Sequence, residues 1–415
     1  MVGPTSYFDP RTTASLDPRT RDLVERRARV MGPAYRLFYS RPLELVRGLG
    51  TRVWDADGRE YLDAYNNVPS VGHAHPRVAE AMAEQARMLT THTRYLAEPT
   101  IAYAENLVAT LPAAVDTVMF TCTGSEANDL ALRIAKTATG GTGIIVTKNA
   151  YHGVTTEIAA ISPSLGGPES LAPWVRTVPV GGGADLDTGV AAAIASLADA
   201  GIRPAALIVD TIFASDGAWP DVPGFAAAVA RIRAAGGLFI ADEVQPGFGR
   251  LGTGMWGFDR YDLTPDLVTV GKPMGNGQPI AAVFARRTLV EEFNARSRYF
   301  NTFGGSSVSI AAGRATLEVL RDEALIDNAR DVGDYLRGQL ETTGLFAEVR
   351  GVGLFLGARL ESEERALATV NALRDRGVLV ATSGADNDTL KIRPPLPFSR
   401  ADADLLLTEL EAVLR

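Results

Sequence analysis

The sequence predicts an α/β protein in two parts. A large, mostly parallel-sheet domain spans residues 60–305, and a smaller α+β domain combines 306–415 with the N-terminal arm, 1–59. Three observations predict this. Short β-rich runs ("DTVMF", "GIIVT", "ALIVD", "GLFIA", "LVTV", "AAVFA") recur between alanine-rich or loop segments; continuous apolar strands interleaved with helices mark a sheet covered on both faces. Beyond residue 305 the pattern changes to long helices, "SVSIAAGRATLEVLRDEALIDNARDVGDYLRGQLE", and then to short strands. Finally, 415 residues that are 46% apolar can bury more than one domain core.

Taken in order, residues 1–45 read as an irregular or partly helical arm. In "TRVWDADGREYLDAYNN", Asp57-Gly58 separates two alternating segments, a hairpin signal. Pro76 opens the helical pattern "PRVAEAMAEQARML" at the first-turn position that tolerates proline. The β-rich runs follow, and Ser399 in "FSRADADLLLTELEAVLR" is placed to cap a terminal amphipathic helix.

A net charge of −8 gives no general attraction for nucleic acid or an anionic membrane surface. No window has the length and apolarity of a membrane span. The polar, arginine-rich start lacks the apolar centre of a signal peptide. Cys122, the one cysteine, cannot form an internal disulfide, and points to a reducing compartment. These observations lead to the expectation of a cytoplasmic globular protein.

Four segments carry chemistry. In "GGLFIADEVQPGFGR" an apolar strand ends in Asp242 and Glu243. Ligands of open parallel sheets sit beyond the carboxyl ends of the strands, where Asp242 stands; a simple cap or turn carboxylate is the plainer alternative. In "LVTVGKPMGNGQPIA" a strand delivers Lys272 into a Gly/Pro-rich loop, where shielding from water lowers an amine's pKa and makes it nucleophilic toward carbonyls. In "FTCTGSEANDLALRIAK" a strand ends near Thr121 and a helix starts near Ser125, so Gly124 and Ser125 present free N–H groups to an anion. "AYHG" sets the ring of Tyr151 after another strand, able to stack on a flat ligand. Each segment alone has a structural explanation. Together they suit pyridoxal 5′-phosphate, which needs a Schiff-base lysine, a phosphate cradle and an acid opposite its ring nitrogen.

With "GSEAND", "YHG", "ADEVQPGFGR", "GKPMGNG" and "NTFGGS" in that order, the chain resembles the class III aminotransferases, fold type I pyridoxal-phosphate enzymes. The resemblance runs from "VWDADGREYLDAYNNVPSVGHAHP" to "LKIRPPLPFS". Within the class, "YNNVPSVGHAHP", "GKPMGNGQPIA" and "FNTFGG" look most like the branch holding alanine–glyoxylate aminotransferase 2-like proteins and ethanolamine-phosphate phospho-lyase.

The resemblance implies roles for individual residues. Lys272 matches the Schiff-base lysine, Asp242 the partner of the pyridinium, and Gln245 the residue bonding the phenolic oxygen. Val244 and Tyr151 would pack on opposite faces of the ring, and Gly124 and Ser125 match the phosphate turn. Thr302 matches a phosphate ligand given to the neighbouring subunit, so a homodimer is expected. Glu243 is assigned to hydrogen bonding within its loop.

The chain departs from the class at Lys391, where many members carry a carboxylate-gripping arginine three residues before Pro-Pro; Arg393 follows two residues later. It also carries Asp210-Thr211 where many relatives have Glu-Pro, and Cys122-Thr123 before the phosphate glycine. Asn67, Lys391 and Arg393 are candidates for the substrate, with Asn66, Arg94 and Tyr95 weaker ones. His73 and His75 alternate as metal ligands can, but no further His/Cys cluster accompanies them, and no metal is expected.

The expected reaction is transfer of an amino group from a small amine or amino acid to a keto acid. The alternative is elimination of ammonia together with phosphate or another group from a phosphorylated or phosphonated amine. Transfer is the first reading; the alternative is motivated by Lys391, the likeness to the phospho-lyase branch and the placing of Lys391 and Arg393 on one strand face.

Overall fold

The computed structural model describes residues 7–384 and 386–415. An N-terminal helix, Pro18–Met31, starts on an Asp17 cap, as its Asp-Pro sequence favours. Strand β1 (Leu45–Leu49) pairs with β2 (Arg52–Asp55), and β2 with β3 (Glu60–Asp63), all antiparallel. The Asp55 carboxylate accepts from the Asp57 and Arg59 amides and Gly58 takes φ +81, which closes the β2–β3 hairpin.

The central sheet has seven strands: β4 (Thr117–Thr121), β5 (Gly143–Thr147), β6 (Val175–Val178), β7 (Pro204–Asp210), β8 (Leu238–Asp242), β9 (Leu267–Val270) and β10 (Ala281–Ala285). Their spatial order is β4-β10-β9-β8-β7-β5-β6. β10 is antiparallel to both neighbours, so the other six all run one way. Their carboxyl ends, Thr121, Thr147, Val178, Asp210, Asp242 and Val270, therefore share one edge. β6 carries no continuous apolar run: Arg176 and Thr177 break it, as an edge strand with one pairing partner allows.

The C-terminal part is a sheet of β11 (Glu348–Val352), β12 (Phe355–Arg359), β14 (Ala381–Ser383) and β15 (Thr389–Ile392). β13 (Val378–Leu379) instead pairs in parallel with β3, so the first strand of the 60–305 segment is hydrogen-bonded to the C-terminal part. The helical region past residue 305 is two helices, Ser307–Asp322 and Leu325–Thr342, divided at Ala324, whose φ is +49. Ser399 caps the last helix in a reciprocal box with Asp402. No helix among the described residues is long and apolar enough to cross a membrane.

Candidate active site

The shared carboxyl edge holds a cavity of about 90 Å³, lined by Gly124, Ser125, Asn128, Tyr151, His152, Gly153, Asp242, Val244, Gln245 and Lys272. Three turns and two strand ends bring these residues together. At one end of the cavity, helix Gly124–Thr139 starts on a Thr123 cap. Glu126 accepts from the amides of Cys122 (2.7 Å) and Thr123 (3.1 Å), and Thr123 Oγ1 accepts from Glu126 N. The cap thereby leaves the Gly124 and Ser125 amides free for an anion. Both glycines of the cradle are required by packing. A Cβ on Gly124 would lie 2.9 Å from Val244 Cγ2, and one on Gly153, at φ +134, would lie 2.3 Å from Ser125 Oγ.

At the opposite end Asp242 is 3% exposed and its carboxylate is fully engaged. Oδ2 meets His152 Nδ1 at 2.7 Å and accepts from Asn128 Nδ2 at 3.0 Å, and Oδ1 accepts from Val244 N. Asn128 is in turn oriented by Thr269, whose Oγ1 donates to Asn128 Oδ1 (2.6 Å), and by its own bond to the His152 carbonyl (2.7 Å). A buried carboxylate held this firmly keeps its charge in place for a cationic partner.

Lys272 follows the end of β9 by two residues. Burial, with help from the Arg393 charge, brings its amine down to about 8, against the pull of Asp242 and Asp210. At neutral pH an appreciable fraction is then the neutral amine that attacks a carbonyl.

Gln245 ties this half of the site to the next. Its Oε1 accepts from Asn67 Nδ2 (3.1 Å) and Arg393 Nη1 (2.6 Å), which leaves its NH2 as a donor toward the cavity. Arg393 also donates to Asn67 Oδ1 (2.9 Å) and lies 4.5 Å from the Tyr65 ring. All its hydrogen-bond partners are neutral amides, and its Nε is buried without one. Lys391 on β15 stands 5.5 Å from the Phe355 ring; desolvation, Arg393 and Lys272 push its amine well down, while Asp210 pulls it up. Two basic side chains thus stand close together with no carboxylate among their hydrogen-bond partners.

Other predicted residues fall elsewhere. Thr302 is exposed on the 297–306 turn and is not among the residues lining this cavity. Glu243 is fully buried below the cavity, accepting from Thr211 Oγ1 (2.6 Å), Gly257 N (2.7 Å) and Phe258 N (3.1 Å). Its loop-bonding role is thereby visible. His73 pairs with Asp63 and His75 with Glu323, and no metal-binding group of three or more His, Cys, Asp or Glu exists among the described residues.

Sequence reasoning passed over Asn128 and Arg250, among others. Asn128 lies one turn beyond Gly124 on the same helix face, a spacing that could have flagged it. Arg250 is buried, donates to the carbonyls of Leu354 and Pro394, and so fixes the backbone beside Arg393; nothing local in "GFGR" signals those distant partners.

The parallel edge, the free helix amides, the buried carboxylate and the softened lysine fit pyridoxal 5′-phosphate group by group. They define a fold type I pyridoxal-phosphate enzyme. The aminotransferase class-III family model matches residues 39–414, and the chain belongs to that family. It is 35% identical over 424 residues to an alanine–glyoxylate aminotransferase 2-like protein of Drosophila melanogaster, covering 93% of this chain and 85% of the relative. It is 33% identical to ethanolamine-phosphate phospho-lyase homolog 1 of Caenorhabditis elegans, over 100% of this chain and 98% of that one. Among solved structures, a phospholyase from Arthrobacter in complex with phosphoethanolamine superposes with a TM-score of 0.91 at 43% identity, covering 95% and 99% of the two chains. The family therefore includes similar proteins named for both outcomes, transamination and elimination.

Proposed function

We propose that the chain removes a proton from the amine-bearing carbon of a small phosphorylated amine and eliminates phosphate from the adjacent carbon. Hydrolysis with one water then gives an aldehyde, ammonia and inorganic phosphate. The observation that carries this reading is the Lys391/Arg393 pair: two basic side chains beside Gln245 of the cavity lining, with a buried Arg393 Nε that has no protein acceptor. A phosphate dianion supplies the charge and the acceptor oxygens that this pair lacks.

Each residue then has a task. The cofactor, when bound, supplies an electron sink for the carbanion formed at the amine-bearing carbon. Lys272 anchors it covalently and, once released, its amine near pKa 8 accepts and returns the proton at that carbon. Asp242, held by His152 and Asn128, keeps a negative charge at the ring nitrogen. The Gly124 and Ser125 amides hold the cofactor phosphate, Val244 and Tyr151 enclose the ring, and the Gln245 amide donates to its phenolic oxygen.

Thr302 reaches the site of a second copy in a homodimer; Phe303, beside it, is 71% exposed, as a side chain awaiting a partner would be. A cytoplasmic setting is supported by the single cysteine, Cys122, which has no disulfide partner.

Transamination with a keto acid follows from the same first step and is favoured by the same Lys272 geometry. Incubation with phosphoethanolamine and no keto acid separates the two. Sustained release of ammonia and phosphate supports elimination; a single turnover that stops until a keto acid is added supports transamination and ends the first reading.

A further inference from the structure

We propose that Asp216 is a positioning residue for the cofactor site, clamping the turn that carries Tyr151 and His152. Its carboxylate accepts from Thr147 Oγ1 at 2.5 Å and from the Asn149 amide at 3.0 Å. Thr147 is the last residue of β5, and Tyr151 and His152 follow Asn149 by two and three residues. One carboxylate therefore spans the junction between the strand and its functional turn.

The clamp is itself held. Asp216 lies in the 210–219 loop, which starts where Asp210 accepts from the amides of Ile212 (3.0 Å) and Ala214 (3.1 Å). Phe213, Gly217 and Ala218 all take positive φ, +51, +116 and +61. A loop keeps two non-glycine residues in that region only where its surroundings fix them. The Asp216 and Ala218 amides both bond the Phe213 carbonyl at 3.1 Å, and Trp219 Nε1 bonds the Asp216 carbonyl at 2.9 Å, with the Arg350 guanidinium 4.2 Å over the Trp219 ring. The carboxylate is thus presented from a rigid base.

What the clamp governs follows from the contacts beyond it. His152 Nδ1 supports Asp242, while its Nε2 is buried without a partner, so the imidazole gains its orientation from that contact and from the turn's backbone. The Asp216 carboxyl is held up near 6 by burial, with His152 among the groups that pull it back down, which places the two side chains within electrostatic reach. Ser162 Oγ on His152 N and Asn128 on the His152 carbonyl share the load, so losing the clamp loosens the turn without releasing it.

The inference rests on the reading of this cavity as the cofactor site. The test is equilibrium binding of pyridoxal 5′-phosphate to apo-enzyme, with the visible circular dichroism of the bound cofactor and steady-state kinetics. Loss of two hydrogen bonds in Asp216→Ala should weaken cofactor binding about tenfold or more and diminish the dichroic band. With Lys391 and Arg393 untouched, kcat should fall about tenfold while KM for the amine stays within about twofold. Asp216→Asn keeps an acceptor for the Asn149 amide and a polar partner for Thr147, so it should restore binding and the band. Should Asp216→Ala fail to fold, Thr147→Val removes one of the two bonds and should weaken binding about threefold. Unchanged affinity and dichroism in Asp216→Ala or Thr147→Val would overturn the clamp, as would Asp216→Asn behaving like Asp216→Ala. Wild-type enzyme that binds no cofactor would instead overturn the underlying reading of the cavity.

Discussion

The two halves of the active site are built in opposite ways. The cofactor half sits on the ends of neighbouring parallel strands, with Asp242 in register with Asp210 and Thr269, and both carboxylate oxygens of Asp242 have partners. The substrate half is assembled across the chain: Arg393 bonds Asn67, 326 residues away, and Gln245, 148 away. In the first half the Asp242 carboxylate is fixed before anything binds. The second carries the Arg393 guanidinium with a vacant donor and a desolvated Lys391 amine beside it, both of which an anionic substrate would satisfy. A preformed half suits a group that stays bound through every turnover. A half with unmet charge suits one that comes and goes.

The sharpest way to break this contrast is to remove the group on which the cofactor half depends. If Lys272 has the roles proposed for it, Lys272→Ala should lower kcat by roughly 10³-fold or more, since both the proposed covalent anchor and the proposed proton carrier disappear. Borohydride treatment should then trap no adduct. Substantial turnover by that variant would contradict the assigned roles.

Asp242→Asn comes next. It leaves the shape intact but removes the charge and mismatches His152, so kcat should drop by about 10²–10³-fold while the KM of the amine changes little. An equal loss in KM would mean that the acid acts on the substrate half instead.

The substrate half is tested by Lys391→Met. A charge-assisted contact to phosphate is worth about ten- to a hundredfold in binding, so KM for a phosphorylated amine should rise by that factor with kcat near wild type. A matching rise for an unphosphorylated amine would show that Lys391 is not reading the phosphate.

A smaller effect concerns pH. Lys272 is lowered to about 8, so below that value it is mostly the unreactive ammonium. Capture of pyridoxal by apo-enzyme, trapped with borohydride, should rise with pH and level off above about 8, whereas an ordinary lysine would continue rising toward about 10.4. The linkage has the same sign: the unfolded chain holds that proton up to higher pH, so the stability cost of the buried amine is full below about 8 and is relieved as pH climbs toward the unfolded value. A capture profile still climbing past pH 9.5 would show that the amine is not desolvated.

How much of this was legible in the sequence follows the same division. Gly124-Ser125, Tyr151, Asp242–Gln245 and Lys272 each stand beside a recognisable strand, because the chemistry at a strand end is local. All of them except Glu243 line one cavity. The strands themselves were legible where both faces are buried, and β6 was not, because an edge strand tolerates Arg176 and Thr177. The interior partners of the site were hidden. Asn128, Arg250 and Asp216 make their decisive bonds to residues 114, 144 and 69 positions away. Periodicity reports which face of an element is apolar, not which polar atom meets another across the fold. Lys391 and Arg393 were visible as a departure from a family pattern, but their unpaired state appears only once Asn67 and Gln245 are in place.

The smallest predicted effect probes a buried acid that borders both halves. Glu243 adjoins Asp242, yet its carboxyl faces away into the loop, where Thr211, Gly257 and Phe258 donate to it, and burial raises it to about 8. A raised carboxyl holds a proton that the unfolded chain has already given up. Its contribution to stability is therefore full below about 4.5 and lost as pH rises through 8. Thr211→Val removes one neutral donor from this acid without touching the cavity lining. It should cost about 1 kcal/mol, a shift of a degree or two in Tm, with kcat and KM unchanged. The variant should also steepen the loss of stability between pH 5 and about 8, because the remaining ionised form keeps one donor fewer. A changed kcat would place Glu243 in the chemistry of its neighbour Asp242, and the division between the cofactor half and the framework beneath it would have to be redrawn.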